Sequence, residues 1–498
     1  MTALDSIAAR GAERSPDKAA IAVPGGRAWT YAELDRAASG FARQLQDGGA
    51  SPGDRLVLGN YNTPEFFVAL FAAARAGMVA VPLDPALAAA ELGNVLRHAR
   101  PHAVVVDGRT AATFEPFGVR LERVGDAASA GDPQGGGDRG GAEPGGQGPA
   151  FIIYTSGTTG TPRGAVHSHA GVLQKVSDIR AWFDLGEDDS ALCLLPTHFG
   201  HGLVCACLSA LNFGGTLVLC RPFDLELLPR VFALADEHRV TTFSTVPTII
   251  RLMMRNDAIA PPRSGRLRFI TCASAPLHPE EGEAFEARFG VPLLNCYGLT
   301  EAGTWSTLSP NDPGRDRRSV GFASGCSFRA VRRDGDAVTP LPAGEIGELE
   351  LSGPSVMLGY DGDPEATARV LRGGWLSTGD LGRVDDQGRV FLAGRSKDLI
   401  IRAGANIYPA EIEGVLLRHP DVAEAYVVGL DHQVLGEKVA GCVVRRAGAQ
   451  ASEAELIAHC RAVLAAYKCP ETIRFVDAVP KTSRGKVTRA AVKALLQP

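Results

Sequence analysis

Residues 154–164 read YTSGTTGTPRG, a stretch rich in glycine and in Thr and Ser hydroxyls. Glycines let backbone N–H groups turn towards an anion, and Arg163 adds a fixed positive charge. The stretch does not match the P-loop pattern GxxxxGK[ST], so it predicts a phosphate-binding loop of another kind, with an ordinary flexible turn as the alternative. The candidate phosphate ligands are Thr155, Ser156, Gly157, Thr158, Thr159 and Arg163.

The segment NCYGLTEAGT at residues 295–304 follows a strand-like run directly. Ligands of open α/β sheets bind at the carboxyl ends of the strands. Tyr297 can stack on a nucleobase, and Glu301 can hold Mg²⁺ together with phosphate oxygens, because hard cations prefer carboxylate ligands. A helix cap formed by Thr300 and Glu301 is the alternative that these residues leave open.

Three later segments place charged residues beside glycines. STGDLG puts Asp380 in a predicted tight turn, where a carboxylate among backbone donors can hold two ribose hydroxyls, and GRSKDLIIRAGANIYPAEIE contains Arg395. VPKTSRGKVTR contains Lys481 and Lys486, and a lysine of this segment can act as a point charge delivered by a mobile loop. The alternatives are a turn aspartate, a surface arginine and a solvated basic loop.

The elements that must position these residues alternate between helical and strand patterns. TYAELDRAASGFARQLQ opens with a capping box formed by Thr30 and Glu33, and RLVLGN follows as a short strand. Strand-like runs such as AFIIYT, GTLVLC and LLNCYG then alternate with helical runs such as HAGVLQKVSDIRAWF. The alternation predicts an α/β fold of parallel strands joined by crossover helices, with the glycine-rich loop directly after a strand.

The pattern changes twice towards the C-terminus. Residues 344–392 become strand-rich with Gly and Pro turns, and a short α+β pattern follows residue 394. We therefore predict a large N-terminal domain at residues 1–394 and a small C-terminal domain at residues 395–498. Residues 125–149 have hardly any apolar side chain to bury, which predicts a flexible surface loop.

Composition narrows the class of partner. The 498 residues contain 51 Lys and Arg against 56 Asp and Glu, and this balance disfavours a general affinity for nucleic acid or anionic membranes. We expect a small-molecule substrate instead. The ten cysteines form no CxxC pair, and most stand in apolar runs, as buried thiols in a reducing cytosol do. No apolar run reaches the roughly 18 residues of a membrane span, so we expect a soluble cytoplasmic protein.

These segments, in this order, resemble the acyl-adenylate-forming superfamily of acyl- and aryl-CoA synthetases, peptide-synthetase adenylation domains and firefly luciferase. The resemblance extends from about Thr30 to Arg489 and rests on YTSGTTGTPRG, YGLTEA, STGDLG, GRSKDLIIRAGANIYPAEIE and PKTSRGK. It implies an active site between a large domain and a small mobile one joined by a hinge. It also implies a reaction of a carboxylic acid with ATP that gives acyl-AMP and pyrophosphate, followed by acyl transfer to a thiol, with ATP, Mg²⁺ and CoA bound.

The resemblance implies a role for each nucleotide-site candidate. The glycine-rich loop would hold the β- and γ-phosphates, and Tyr297 would lie against adenine. Thr300 and Glu301 would contact phosphate and Mg²⁺, while Asp380 and Arg395 would bind ribose.

Three further residues are implied to act in catalysis and in domain movement. Lys486 would be the adenylation lysine, bridging the acyl carboxylate and the α-phosphate. Lys397 occupies the hinge position, where many relatives carry Asp and others Lys. The strand around Gly404 would line a tunnel for the thiol after the small domain rotates.

The acyl pocket departs from the usual family pattern. The candidates for its lining are His198, Phe199, His201, Ala273 and Gly298. Phe199 stands where relatives often carry His. Outside this pocket, in the glycine-rich loop, Arg163 stands where relatives commonly carry Lys. No acidic residue occurs at positions 196–207, which disfavours an amino acid as substrate. The small, apolar and His-containing segments favour an aryl, alicyclic or medium-length acid, and whether His198 and His201 bind a polar group or only pack stays open.

The leading interpretation is an AMP-forming acid–CoA ligase, and its rival is a free-standing adenylation enzyme that loads a carrier-protein phosphopantetheine. Arg445 and Arg474 are candidates for contacts with CoA phosphates. An inactive, ligand-binding relative is a third possibility, which the intact set of motif residues opposes. A luciferase-like oxidation also stays open.

Overall fold

The computed structural model describes most of the chain, namely residues 3–125, 146–155, 162–335, 337–403, 405–480 and 487–496. Most of the predicted loop at 125–149, namely residues 126–145, lies outside these described residues. The chain forms two compact units, Met1–Phe328 with Leu351–Ser377 and Arg329–Glu350 with Thr378–Pro498. The α/β fold class is confirmed. The domain boundary between residues 394 and 395 stays a prediction.

The strands of the described residues are, in chain order, β1 (Ala19–Ala22), β2 (Ala28–Thr30), β3 (Arg55–Leu58), β4 (Val79–Pro82), β5 (Ala103–Val105), β6 (Leu121–Glu122), β7 (Pro149–Thr155), β8 (Arg163–Ser168), β9 (Ser190–Cys193), β10 (Thr216–Leu219), β11 (Thr242–Thr245), β12 (Phe269–Cys272), β13 (Leu293–Leu299), β14 (Thr304–Leu308), β15 (Phe322–Ala323), β16 (Ser327–Asp334), β17 (Ala337–Pro340), β18 (Gly347–Ser352), β19 (Gly359–Tyr360), β20 (Leu371–Arg372), β21 (Trp375–Val384), β22 (Val390–Arg395), β23 (Ile400–Arg402), β24 (Ala405–Ile407), β25 (Val422–His432), β26 (Gly436–Arg445) and β27 (Thr472–Phe475).

The α-helices of the described residues are α1 (Ser6–Arg14), α2 (Tyr31–Asp47), α3 (Pro64–Arg75), α4 (Ala89–Ala99), α5 (Ala111–Phe114), α6 (His169–Phe183), α7 (Ser209–Asn212), α8 (Val231–Glu237), α9 (Pro247–Arg255), α10 (Pro279–Phe289), α11 (Pro364–Val370), α12 (Pro409–Leu417), α13 (Glu453–Arg461) and α14 (Arg489–Leu496). Within the described part of the chain, no helix is both long enough and apolar enough to cross a membrane.

The first unit contains two sheets with parallel centres. The larger has the order β15-β14-β13-β12-β11-β9-β10-β1-β2, and all pairs from β13 to β1 are parallel. The smaller has the order β19-β8-β7-β4-β3-β5-β6, with β8 and β19 antiparallel at one edge. Both sheets therefore change direction at the elements that carry the candidate site residues, the hairpins β7–β8 and β13–β14.

The core of the first unit includes α3, whose sequence PEFFVALFAAAR is apolar except for Glu65 and Arg75 at its ends. All residues from Phe66 to Ala74 are buried, as expected for a helix that contacts apolar neighbours all round. The predicted capping box of α2 is confirmed, since Thr30 Oγ1 accepts from the Glu33 N–H (3.1 Å) and the Glu33 carboxylate accepts from the Thr30 N–H (2.8 Å). Local sequence alone therefore determines where α2 begins.

The second unit contains a five-stranded sheet of order β24-β23-β26-β25, with β27 beside β26. Neighbouring residues of β25 face opposite sides of this sheet. Val427 packs in a cluster with Ile412 of α12 and Leu456 of α13, whereas Val428 packs with Val492 of α14. This alternation, which has the period of two residues of a strand, places helices on both faces. A further sheet contains β17, β16, β18, β21 and β20, with β22 beside β21.

Two helices are shorter than the helical patterns of their sequence segments. In LELLPRVFALADEHR, α8 begins only at Val231, after a 3₁₀ turn at Leu228–Arg230 that contains Pro229, since proline has no N–H for a helix interior. In EAELIAHCRAVLAAY, α13 ends at Arg461. The segment His201–Leu208, for which no element was predicted, forms a π-helical stretch with every residue buried.

A very close backbone contact determines the geometry of the hairpin β13–β14. The register shifts between Tyr297 and Gly298, and a Cβ added to Gly298 would lie 1.8 Å from the Thr304 carbonyl oxygen. Thr304 itself has φ +89°, a backbone conformation that residues other than glycine seldom adopt. The hairpin turn at Thr300–Ala302, which carries Glu301, therefore depends on a glycine at position 298.

We predict that Gly298→Ala destabilises the first unit by at least about 2 kcal/mol, because backbone atoms must move to admit the methyl group. All four tryptophans lie in that unit, so their fluorescence during urea unfolding reports on it. Gly186→Ala is the matched control, since its added Cβ has no neighbour within 4 Å. Equal unfolding midpoints for the two variants would contradict the prediction.

Candidate active site

The ends of the glycine-rich loop are held by the hairpin β7–β8. Thr155 is the last residue of β7, Arg163 is the first of β8, and the two are cross-strand partners. The Thr155 hydroxyl lies 3.4 Å from the Arg163 carbonyl oxygen, within reach for a weak hydrogen bond. The other predicted phosphate ligands, Ser156, Gly157, Thr158 and Thr159, lie outside the described residues.

A polar cluster holds the base of this hairpin. The Tyr154 hydroxyl and His98 Nδ1 are 2.8 Å apart, and the Asp361 carboxylate accepts from Arg55 at 2.6 Å. Asp361 also donates its backbone N–H to the Gly164 carbonyl at 2.8 Å. The cluster joins α4, β3, β8 and the segment after β19, elements far apart in sequence. For this reason no local sequence pattern indicated His98, Arg55 or Asp361.

Glu301 is connected to Arg163, at the end of the glycine-rich loop, through Tyr360, a residue that the sequence analysis missed. The Tyr360 hydroxyl donates to Glu301 Oε1 at 2.8 Å, and the Arg163 guanidinium lies 5.8 Å from the centre of the Tyr360 ring. Burial and the nearby Glu301 charge raise the pKa of Tyr360, so it stays a neutral donor. The Glu301 carbonyl accepts from the Met357 N–H at 2.8 Å. Side chain and backbone of Glu301 are therefore both anchored.

The donor set at Glu301 suits a magnesium ion shared with a phosphate ligand. Among the residues that the structure describes, no group of three or more His, Cys, Asp and Glu side chains is placed to hold a metal. Mg²⁺ is commonly held by one or two carboxylates together with substrate phosphates and water. Glu301 offers such a carboxylate, and its metal-binding role stays a prediction.

Thr300 and Tyr297 lie beside Glu301 on the same hairpin. The Thr300 backbone forms a hydrogen bond with His167, and burial lowers the pKa of that imidazole to about 4, so His167 is neutral near pH 7. The half-buried ring of Tyr297 lies 6.3 Å from the ring of Phe328, centre to centre. The hairpin thus presents an aromatic ring and a carboxylate four residues apart.

Two of the five acyl-pocket candidates, His201 and Gly298, lie beside Trp305, another residue that the sequence analysis missed. His201 Nδ1 lies 2.9 Å from the Ser274 hydroxyl, next to Ala273, and the His201 ring packs edge-on against Trp305 with centres 5.1 Å apart. Gly298 is the cross-strand partner of Trp305. Burial lowers the pKa of His201 to about 3, which keeps this imidazole neutral. The structure therefore gives these residues an uncharged setting.

The other histidine of the same segment faces a different element. His198 Nε2 lies 3.4 Å from the Asp84 carboxylate, in the loop after β4, and its ring packs on Phe199 with centres 4.3 Å apart. Charge pairing with Asp84 requires a protonated His198. The two histidines therefore have different neighbours: His198 lies beside Asp84, whereas His201 contacts Ser274 and Trp305.

The second unit brings two predicted ribose ligands together. Asp380 and Arg395 are cross-strand partners on β21 and β22, and Arg395 Nε lies 2.9 Å from Asp380 Oδ1. The prediction that Asp380 occupies a tight turn is wrong, since it lies within a strand, where Thr378 Oγ1 accepts its backbone N–H at 3.0 Å. The aspartate is buried, whereas the arginine is exposed.

The structure describes only the two ends of the C-terminal lysine segment VPKTSRGKVTR, residues 479–480 and 487–489. Gly404 and Lys486 lie outside the described residues, but Arg489, three residues after Lys486, pairs with Glu413 and lies 3.6 Å from Asp398. Asp398 follows Lys397 directly in the exposed 3₁₀ turn Ser396–Asp398. Within this unit, Arg489 thus connects the end of the lysine segment to the predicted hinge.

The two arginines considered for CoA phosphates contact other parts of the second unit. The Arg445 guanidinium stacks on the Phe475 ring at 3.4 Å, and Arg474 Nη1 donates to the Leu495 carbonyl at 2.6 Å.

Of the ten cysteines, nine are buried and Cys326 is half-buried, as their apolar sequence surroundings predicted.

Known proteins match the chain over nearly its whole length. The family model "AMP-binding enzyme" matches residues 8–361, and "AMP-binding enzyme C-terminal domain" matches residues 411–486. A feruloyl-CoA synthase from an Amycolatopsis species is 35% identical over 497 residues, 98% of each chain. A sulfoacetate–CoA ligase from Cupriavidus necator is 39% identical over 343 residues, 68% of this chain and 66% of that one. The crystal structure of ATP-bound MatB from Rhodopseudomonas palustris is similar with a TM-score of 0.88 and 32% identity, covering 99% of this chain and 98% of that chain.

The buried histidines predict how stability depends on pH. Because the pKa of folded His201 is about 3 and its ordinary value is 6.5, the unfolded chain takes up a proton that the folded chain excludes between these values. The free energy of unfolding therefore falls as the pH drops from 6.5 towards 4, by up to about 1.4 kcal/mol per pH unit for such a histidine.

His201→Gln keeps a polar side chain at this position but cannot titrate. We expect this variant to take up about one proton fewer than the wild type when it unfolds at a pH between about 4 and 6. Urea unfolding followed by tryptophan fluorescence at several pH values measures this slope. A variant slope equal to that of the wild type would show that His201 already titrates in the folded state.

Proposed function

The chain belongs to the AMP-binding enzyme family, and on this premise we propose that it is an AMP-forming acid–CoA ligase. It activates a carboxylic acid with ATP and transfers the resulting acyl group to the thiol of CoA. The observation that supports this function best is the connection from Glu301 through Tyr360 to Arg163, since it joins a carboxylate suited to Mg²⁺ to the end of a loop suited to phosphates.

The reaction proceeds in two displacements. In the first, a carboxylate oxygen of the acid attacks the α-phosphorus of ATP, the bond from that phosphorus to the bridging oxygen breaks, and pyrophosphate leaves. In the second, the CoA sulfur attacks the acyl carbonyl carbon, the bond to the AMP oxygen breaks, and AMP leaves while the thiol proton passes to solvent. The protein's task is to position the reactants and to stabilise charge.

Residues of the first unit bind the nucleotide phosphates and the base. The glycine-rich loop and Arg163 hold the β- and γ-phosphates, and Thr300 contacts phosphate. Glu301 holds Mg²⁺, which when bound neutralises charge on the departing pyrophosphate. Tyr360 fixes the orientation of the Glu301 carboxylate, and Tyr297 stacks on adenine.

Residues of the second unit bind ribose and serve both half-reactions. Asp380 accepts hydrogen bonds from the ribose hydroxyls, beside Arg395. Lys486 stabilises charge between the acyl carboxylate and the α-phosphate during adenylation. Lys397 is the hinge residue, and the backbone around Gly404 lines the path of the thiol in the second half-reaction.

The acid is an aryl, alicyclic or medium-length carboxylic acid. The candidate pocket residues around Trp305 are uncharged, because burial keeps His201 neutral. The absence of acidic residues at positions 196–207 disfavours an amino acid, whose ammonium group needs a counter-charge. The Amycolatopsis relative is named for the feruloyl group, which is an aromatic acyl group, and this agrees with the proposed class of acid.

A carrier protein is the alternative thiol acceptor. A free-standing adenylation enzyme would perform the same first half-reaction and then load a carrier-bound phosphopantetheine. The relatives named above, which are CoA ligases or synthases, favour CoA.

The first test is pyrophosphate release from ATP with a panel of aryl, alicyclic, fatty, dicarboxylic and amino acids, with and without CoA. Mass spectrometry identifies the products. An acyl-CoA product supports the ligase. Acyl-AMP that accumulates in the presence of CoA supports the carrier-protein alternative, and no turnover with any acid would overturn the proposed activity.

We predict that Lys486→Ala lowers the rate of adenylation about 10²- to 10³-fold, because a charge that stabilises the transition state is removed. Transfer of the acyl group from preformed acyl-AMP to CoA should change little. Lys481→Ala, a change in the same segment, should leave both half-reactions nearly intact. A similar loss of both half-reactions in Lys486→Ala would refute the assigned role.

We predict that Tyr360→Phe lowers kcat/KM for adenylation about tenfold, since a hydrogen bond to a charged carboxylate is lost. The Mg²⁺ concentration needed for half-maximal pyrophosphate release should rise, because Glu301 is then less well oriented. Tyr426→Phe removes a similar bond, from a tyrosine hydroxyl to Glu424 at 2.8 Å, and is the matched control. An unchanged Mg²⁺ dependence would show that Tyr360 does not act through Glu301.

A further inference from the structure

A small internal cavity of the first unit adjoins the candidate acyl pocket. It lies between strands β9, β11 and β12 of the larger sheet, helix α6 and the π-helical segment His201–Leu208. Its lining is largely aromatic and aliphatic, with Phe183, Phe243 and Trp305 among the larger side chains. Trp305 is also the residue that contacts His201 and pairs with Gly298, so one side chain borders both the pocket candidates and the cavity.

Most polar side chains of the cavity wall are engaged with their neighbours. The Ser244 and Thr271 hydroxyls are hydrogen-bonded to each other at 2.8 Å, and the Ser209 hydroxyl donates to the Cys205 carbonyl. The Cys205 thiol lies 2.7 Å from the Thr304 hydroxyl. These groups therefore have partners without any ligand.

The indole N–H of Trp305 differs from them. Trp305 is 3% exposed, and its Nε1 has no hydrogen-bond partner among the residues that the structure describes. A buried donor without a partner is costly, and buried Trp N–H groups usually find an acceptor. Since the indole nitrogen can only donate, the missing partner must be an acceptor atom.

The cavity wall also limits the charge of that acceptor. None of the lining side chains carries a formal charge. Lys175 of α6 is fully buried but is not part of the cavity wall, and its ammonium group donates to the Ser324 carbonyl at 2.9 Å. Burying a second carboxylate or a sulfonate here without a cation would be strongly unfavourable, whereas a neutral oxygen needs only a donor.

We propose that Trp305 Nε1 donates a hydrogen bond to a neutral oxygen carried by the acid at its end remote from the reacting carboxylate. The inference rests on the proposed ligase function and narrows its substrate class to acids with a distal hydroxyl, ether or carbonyl oxygen. The small cavity receives that substituent, while the remainder of the acid lies along His201 and Gly298. Trp305 is thus a specificity-determining residue.

The test compares matched acids within the class that the pyrophosphate panel identifies. The wild type should use the best oxygen-bearing acid with a kcat/KM at least about tenfold above that of the analogue in which hydrogen replaces the distal oxygen group, because the analogue leaves the indole donor unpaired. A best acid without any distal oxygen, or equal kcat/KM for the two acids, would overturn the inference.

Trp305→Phe removes the N–H and keeps an aromatic ring. The variant should lose the preference, by losing kcat/KM for the oxygen-bearing acid while changing little with the analogue. Trp182→Phe is the matched control, since the Trp182 indole donates to the Ser309 carbonyl at 3.2 Å and its side chain is not part of the cavity wall. An equal loss for both acids in Trp305→Phe would indicate a packing role or a structural water at Nε1 and would overturn the inference.

The acid comparison in the wild type decides the question even where Trp305→Phe does not fold. Failure of the inference is distinguishable from failure of the proposed function. Acyl-CoA formation without a distal-oxygen preference removes only the inference, whereas no pyrophosphate release with any acid removes the ligase function itself.

Discussion

The contact between Gly298 and the backbone of Thr304 is the constraint on which the candidate site residues of the first unit depend. It holds β13 and β14 closer than any side chain at position 298 would allow, and it accompanies the unusual positive φ of Thr304. This one hairpin therefore carries three chemically distinct side chains: a phenol, a carboxylate and an indole. Tyr297 and Glu301 belong to its first strand and turn, and Trp305 belongs to its second strand.

The hairpin also separates charged chemistry from neutral chemistry. On the side of Glu301, Tyr360 and Arg163 link a carboxylate to the end of the glycine-rich loop, an arrangement that suits the proposed anionic ligand with a metal ion. On the side of Trp305, burial keeps His201 uncharged, and the cavity wall contains hydroxyls, a thiol and aromatic rings. An acid whose carboxylate reacts at the first side and whose other end is neutral matches this distribution of polarity.

In the second unit, arginine side chains pair with carboxylates near the predicted ribose ligands and the predicted hinge. Asp380 is buried beneath the exposed guanidinium of Arg395, and Arg489 pairs with Glu413 close to Asp398. A carboxylate that pairs with an arginine guanidinium is held in a fixed orientation. These pairs place the predicted ribose ligands on one strand pair and connect the turn at the predicted hinge to the segment that follows Lys486.

The sequence by itself determined the fold class, the capping box of α2, the strand before the glycine-rich loop and the family, because periodicity, helix caps and contiguous motifs are local properties of a chain. It also predicted roles for Glu301, Asp380 and Arg395 by motif. Only the tertiary structure decided that Tyr360 contacts Glu301, that His98 and Asp361 hold the loop base, and that Trp305 joins the pocket candidates to a cavity. These contacts join residues 59, 56 and 104 positions apart in sequence (Tyr360 with Glu301, His98 with Tyr154, Trp305 with His201), and no periodic pattern encodes them. The placement of Asp380 in a strand was likewise decided by its pairing with Arg395, a cross-strand interaction that its local glycines do not reveal.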